Sequence, residues 1–143
     1  MFESLFASKS QKLVKQWIKE HKLIVKLATD IIEDYSKKDL KKTKKDLKKL
    51  EDIALEHLMT EDIEFFKLLE DKEVEGDTEA SVKEFTSSFT DTKLLLMRFL
   101  VKYTQDDIEL DDEFFETFNT IVGVLAERIK FEEENLYEKL NAQ

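Results

Sequence analysis

Across 143 residues the chain contains no proline, and its only glycines are Gly76 and Gly123. Proline and glycine supply most tight turns, so a chain nearly without them cannot reverse direction often. Long helices are what remains, and the apolar pattern agrees, showing a 3.6-residue period in four places. After Ser8 and Gln11, which have the spacing of a capping box, Leu13, Val14, Trp17, Ile18, His21, Ile24, Ala28, Ile31, Ile32 and Tyr35 form one stripe. A second stripe runs through Leu40, Leu47, Leu50, Ala54, His57, Leu58, Glu61, Phe65 and Leu68. The stretch "EVEGDTEAS" interrupts it at Gly76. A third stripe comprises Val82, Phe85, Phe89, Leu96, Phe99, Leu100 and Tyr103. The fourth follows "TQDDIELDD", a loop ending in an Asp cap, with Phe114, Phe118, Ile121, Leu125, Arg128, Glu132 and Leu136.

These patterns predict helices over 10–36, 39–71, 78–104 and 112–141, each about 40–50 Å long at 1.5 Å per residue. Short connections make sequential helices antiparallel neighbours. The expected fold is therefore all-α, an up-down-up-down four-helix bundle. Residues 1–143 form one domain with an N-terminal arm at 1–9, whose Phe2, Leu5 and Phe6 should pack on the bundle or on a neighbour. The chain is long enough to bury about 68–70% of its unfolded surface in one core.

The formal net charge is −10, which argues against a nucleic-acid ligand. Residues 37–49, "KKDLKKTKKDLKK", hold eight lysines. Leu40 and Leu47 interrupt them seven apart, as on the solvated face of a helix, with an anionic partner as the alternative. The absence of cysteine fits a reducing cytoplasm. No apolar run approaches the roughly 20 residues needed to span a bilayer, so no membrane association is expected.

Three of the stripes are not wholly apolar. In "EHLMTEDIEFF" the pair His57 and Glu61 sits where leucines and phenylalanines belong, and His21, Arg128 and Glu132 do the same on the first and fourth helices. Counting from the turns at 1.5 Å per residue puts His21, His57, Glu61, Arg128 and Glu132 at one depth, facing Phe85 and Phe89. Paired polar side chains in an apolar stripe either bind something or satisfy one another.

With "KEHKLIV" supplying His21, "HLMTE" supplying His57 and Glu61, and "LAERIKFEEENLYEKL" carrying Glu132 and Glu133, the chain resembles the hemerythrin-like (HHE cation-binding) bundles. The resemblance implies a non-haem di-iron site built from a helix-one histidine, an H-x-x-x-E on helix two, a histidine pair on helix three and a histidine with acids on helix four. This chain departs from that pattern. Arg128 stands where the helix-four histidine belongs, and Phe85 and Phe89 have the spacing of the helix-three pair. The whole chain has two histidines. Guanidinium stays protonated and offers no lone pair, so Arg128 cannot be a ligand. Two readings of the layer follow. In one, Arg128 neutralises Glu61 and Glu132 in a bidentate fashion, the histidines complete the network without metal, Glu133 joins its edge, and the phenylalanines fill volume. In the other, His21, His57, Glu61 and Glu132 hold one iron or zinc ion.

The resemblance, with its site degenerate, implies a non-catalytic sensor, regulatory or interaction module with a protein partner, binding at most one ion. A homodimer is one form such a module takes. A second resemblance is to anti-sigma regulators of the regulator-of-sigma-D family, carried by "KLVKQWIKEHKLIV" and "AERIKFEEENLY". There Leu13, Val14 and Trp17 match an LV-x-x-W segment, and Arg128 matches an arginine before an acidic pair. The third reading is a non-haem iron oxygen-binding or iron-repair protein.

Overall fold

The computed structural model describes residues 9–70 and 76–137. They form four helices, α1 (Lys9–Ser36), α2 (Leu40–Glu70), α3 (Gly76–Tyr103) and α4 (Asp112–Phe131), with a single π turn over Glu132–Leu136 continuing α4. Side-chain pairs fix the directions. Asp34 meets Lys42 while Glu20 meets His57, so α1 and α2 are antiparallel. Thr104 bonds to Glu51 while Lys93 pairs with Asp62, which sets α2 against α3. Tyr103 packs on Phe114 and Phe99 on Phe118, which sets α3 against α4. Tyr35 bonds to Asp112 while His21 reaches Glu132, which closes α4 on α1. The result is the all-α, up-down-up-down bundle the periodicity predicts.

Local chemistry ends each helix. Lys38 takes φ 63°, and the Asp39 N–H donates to Asp34 O at 2.9 Å, closing the last turn of α1. The Asp39 side chain then accepts from the Lys42 N–H at 3.1 Å and starts α2. Asp111 is the expected Asp cap of α4, its Oδ1 accepting from the Phe114 N–H at 2.9 Å. Between the ends, Ile31, Leu47, Leu50, Leu96, Leu100, Phe114, Phe118 and Ile121 are wholly enclosed. Phe99 joins Phe114 and Phe118 with ring centroids 5.6 and 5.7 Å apart. Two carboxylates, Asp34 and Asp46, are also buried in this half. Burial and the neighbouring Asp34 carboxylate push the Asp46 pKa up.

Three expectations change. Leu40 is 47% exposed, because it lies on the first turn of α2 beyond the end of the core. The lysine run is not simply a solvated face. Lys44 Nζ donates to the carbonyls of Tyr103, Gln105 and Ile108 at 2.8, 2.6 and 2.7 Å, while Lys42 and Lys48 pair with Asp34 and Asp106. The fourth helix is not one unbroken α-helix, since the π turn begins at Glu132. The arm at 1–8 with Phe2, Leu5, Phe6 and Ser8, and the expected run of helix four to 141, lie outside the described residues. So do the side chains of Phe65, Leu68, Val82, Phe85, Phe89 and Leu136. Among the described residues no helix is long and apolar enough to cross a membrane.

Candidate metal centre

The antiparallel pairing brings the polar interruptions of α1, α2 and α4 together at one depth, as the counting predicts. His21, His57, Glu61, Arg128 and Glu132 are all buried, Glu61 completely. His57 Nε2 lies 2.9 Å from Glu61 Oε1 and 3.1 Å from His21 Nε2. His21 Nε2 lies 3.1 Å from Glu132 Oε1. Arg128 reaches both carboxylates, with Nη2 at 3.5 Å from Glu61 Oε1 and Nε at 3.7 Å from Glu132 Oε2. Its fork is thus split between two acids rather than laid bidentately on one, and the charge acts through space more than through short hydrogen bonds.

Two participants are missing from the sequence pattern. Tyr137 is buried, donates its hydroxyl to Glu61 Oε2 at 2.5 Å, and stands 3.2 Å from His21 Nε2. Its ring stacks on His21 and tilts against Trp17. Glu20, on the rim of α1, takes the other side of His57, accepting from Nδ1 at 2.7 Å. Glu133 stands near the other side of His21, its Oε2 3.5 Å from Nδ1 and outside hydrogen-bond geometry, and is half exposed rather than part of the enclosed layer. Glu20 is legible in "KEHK" only as a neighbour of His21. Tyr137 escapes the period because the π turn displaces it: the Tyr137 N–H bonds to Glu132 O, five residues back. In a regular helix residues five apart point about 140° apart, but across a π turn they return to one side.

The proton positions follow from the surroundings. Burial pushes the His21 pKa down to about 4, helped by the neighbouring His57 and Arg128, so this imidazole is neutral. Burial works the same way on His57, but Glu61 and Glu20 outweigh it and raise the pKa, so His57 bridges the two carboxylates as a cation. Burial opposes ionisation of Glu61, yet hydrogen bonds from Glu132 and His57 and the charges of His57 and Arg128 hold its pKa down at about 2. Burial and the Glu61 charge push Glu132 far above the usual carboxylate range, so it keeps the proton of the pair. Burial and the same two carboxylates keep Tyr137 a phenol. The positive charge of Arg128 and the raised basicity of His57 thus both face the ionised Glu61.

The same donors suit an ion. One ligand atom each from His21, His57, Glu61 and Glu132 lies within 4.8 Å of all the others. A tetrahedral ion with bonds of 2.0–2.1 Å sets its ligands about 3.3 Å apart, close to the 2.9–3.1 Å separations already present. The outer nitrogens of both histidines face carboxylates, as metal-bound imidazoles do. A void of about 20 Å³ adjoins the donors, walled by Ile24, Ala54, Leu58, Leu96 and Leu125, with room for one water-sized occupant. Arg128, which offers no lone pair, takes the place beside Glu61 and Glu132 that a further ligand to a second ion would need, and the chain has no third histidine. The only described α3 residue in the wall is Leu96, seven positions from Phe89. No known family's sequence profile matches the chain, and neither a curated protein nor a solved structure matches it.

Proposed function

We propose that this protein is a non-catalytic, hemerythrin-like regulatory module whose buried layer exchanges protons for one divalent cation, zinc or ferrous iron. The observation that carries the reading is the set of four enclosed donor atoms from three helices, all within 4.8 Å of one another. Two imidazoles and two carboxylates are a donor set that zinc and ferrous iron both accept. Arg128 does not defeat the site. Binding one divalent ion removes the bridging proton of His57 and the acid proton of Glu132, and two protons leaving for two charges arriving keeps the charge of the layer unchanged. The small void supports a sensing role over catalysis, since sites for drug-sized substrates run to about 300–1,000 Å³. The anti-sigma resemblance rests on Leu13, Val14, Trp17 and Arg128, of which the last three are buried and Leu13 is partly so. Those residues determine packing, so the likeness can arise from a shared bundle interior.

Calorimetric titration of chelator-treated protein with zinc, repeated in buffers of different ionisation enthalpy, tests the reading. One zinc per chain with close to two protons released is expected at neutral pH, and Glu61→Gln should abolish it. Absence of binding by both zinc and ferrous ion, or two irons per chain with the bands of an oxo-bridged pair, overturns it.

A further inference from the structure

One oxygen of the polar layer stands outside the four-donor set. The Tyr137 hydroxyl lies 2.5 Å from Glu61 Oε2 and 3.2 Å from His21 Nε2, so it touches two of the donor residues at once. Its side chain is enclosed, with ring centroids 5.5 Å from Trp17 and 5.6 Å from His21. Only the π turn over Glu132–Leu136 returns residue 137 to the side of Glu132, and such turns are frequent at functional sites. A hydrogen bond to Glu61 would by itself account for the hydroxyl, but the spacing of the donors goes further. At bonds of 2.0–2.1 Å, ligands at right angles stand about 2.8–3.0 Å apart, against about 3.3 Å in a tetrahedron. The donor separations are 2.9, 3.1 and 3.1 Å, with the hydroxyl 3.2 Å from His21 Nε2. They fall between the two values, as the ligands of a five-coordinate centre do.

Resting on the single-ion reading above, we propose that Tyr137 Oη is a fifth ligand, taken up when a ferrous ion in the layer is oxidised to ferric, so that the module senses oxidation state. A phenolate is a hard, anionic oxygen donor, which suits ferric iron and is not needed by zinc. Charge gives the same assignment. Oxidation adds one positive charge to a layer that already buries the fixed charge of Arg128. The phenol holds a proton it can lose more readily than the guanidinium can, the ordinary values being about 10 and above 12. Burial and the charges of Glu61 and Glu132 keep that proton in place, and those are the charges a bound ion offsets. In the step, the Tyr137 O–H bond breaks, its proton leaves to solvent, and a bond from Oη to iron forms. The electron passes from the ion to a one-electron acceptor such as ferricyanide. One proton and one electron depart together, and the charge of the layer does not change.

The full chain, treated with chelator, loaded anaerobically with one ferrous ion and oxidised with one equivalent of ferricyanide, tests the proposal. A visible phenolate-to-ferric charge-transfer band should appear, and its resonance Raman ring modes should shift when tyrosine is ring-deuterated. Tyr137→Phe should lose the band while still taking one zinc per chain. Its ferric/ferrous midpoint should rise by about 59 mV or more, a tenfold loss of preference for the ferric ion. If the variant does not fold, the wild-type spectrum decides, because Tyr35 and Tyr103 pack on Phe114, about 20 Å along α4 from Arg128. A ferric form without the band, a band that survives in Tyr137→Phe, or equal midpoints overturns the proposal and leaves the exchange of protons for an ion standing. A wild type that binds neither zinc nor ferrous ion overturns both.

Discussion

Arg128 is the residue on which the polar layer balances. Its guanidinium reaches two carboxylates that share one proton, and its fixed charge helps keep Glu61 ionised while Glu132 stays neutral. Removing it with Arg128→Ala strands Glu61 in a fully buried position, a change that typically costs about 3–5 kcal/mol. That loss should shrink as pH falls, because the stranded carboxylate then takes up a proton. Denaturant unfolding at pH 7 and at pH 4 measures both parts. Arg128→His makes the opposite change, adding a lone pair beside His21, His57, Glu61 and Glu132 and removing the obligatory charge. Added zinc should raise the melting temperature of Arg128→His well above its effect on wild type. An Arg128→Ala variant as stable as wild type would show that the guanidinium has no part in the balance.

Among the elements, the connections decide how tightly the bundle is tied. The α1–α2 turn places a lysine, Lys38, at φ 63°, where side chains with a Cβ are strained and glycine is not. Lys38 is exposed, so Lys38→Gly loses little packing and should stabilise the protein by about 1 kcal/mol, read as a higher denaturation midpoint with unchanged slope. At the same end, Lys44 gathers the carbonyls of Tyr103, Gln105 and Ile108 and thereby closes α3 and its loop onto α2. Here the limits of sequence reading become physical. Helix count, direction and the depth of the polar layer were legible because they follow from period and rise. That Lys44 among eight lysines turns inward was not, since its partners are backbone carbonyls, which carry no side-chain signal. Tyr137 was hidden for a related reason: hydrogen bonding changes the residue count per turn at Glu132.

For the molecule as a whole, the polar layer gives stability a pH dependence with competing signs. His21 is held neutral with a pKa near 4, so its contribution is present above its unfolded value of 6.5 and is lost as pH falls toward 4. Glu61, near 2 in the fold, adds a loss as pH falls below 4.5. His57 and Glu132 are both raised and act in reverse. Their contributions are full at low pH, and that of Glu132 declines as pH rises above 4.5, that of His57 above 6.5. Between pH 4.5 and 6.5, His21 and Glu132 therefore oppose each other, and wild-type stability should change little. Glu132→Gln removes the opposing group. Its unfolding free energy should fall by up to about 3 kcal/mol from pH 6.5 to 4, following the displacement of His21 from 6.5 to about 4. Equal slopes in wild type and Glu132→Gln across that range would show that Glu132 is ionised in the fold.

The π turn has a consequence for how much chain the bundle can accept. Glu132 and Tyr137 both face the interior although five residues separate them, and a regular helix would place residues four apart in those two positions. The segment therefore holds one residue more than its path requires, taken up as a bulge whose outer members, Glu134 and Asn135, face solvent. Such slack decouples the two sides of the layer. A lineage that shortens this stretch by one residue would keep the bundle and change only the hold of the phenol on the carboxylate.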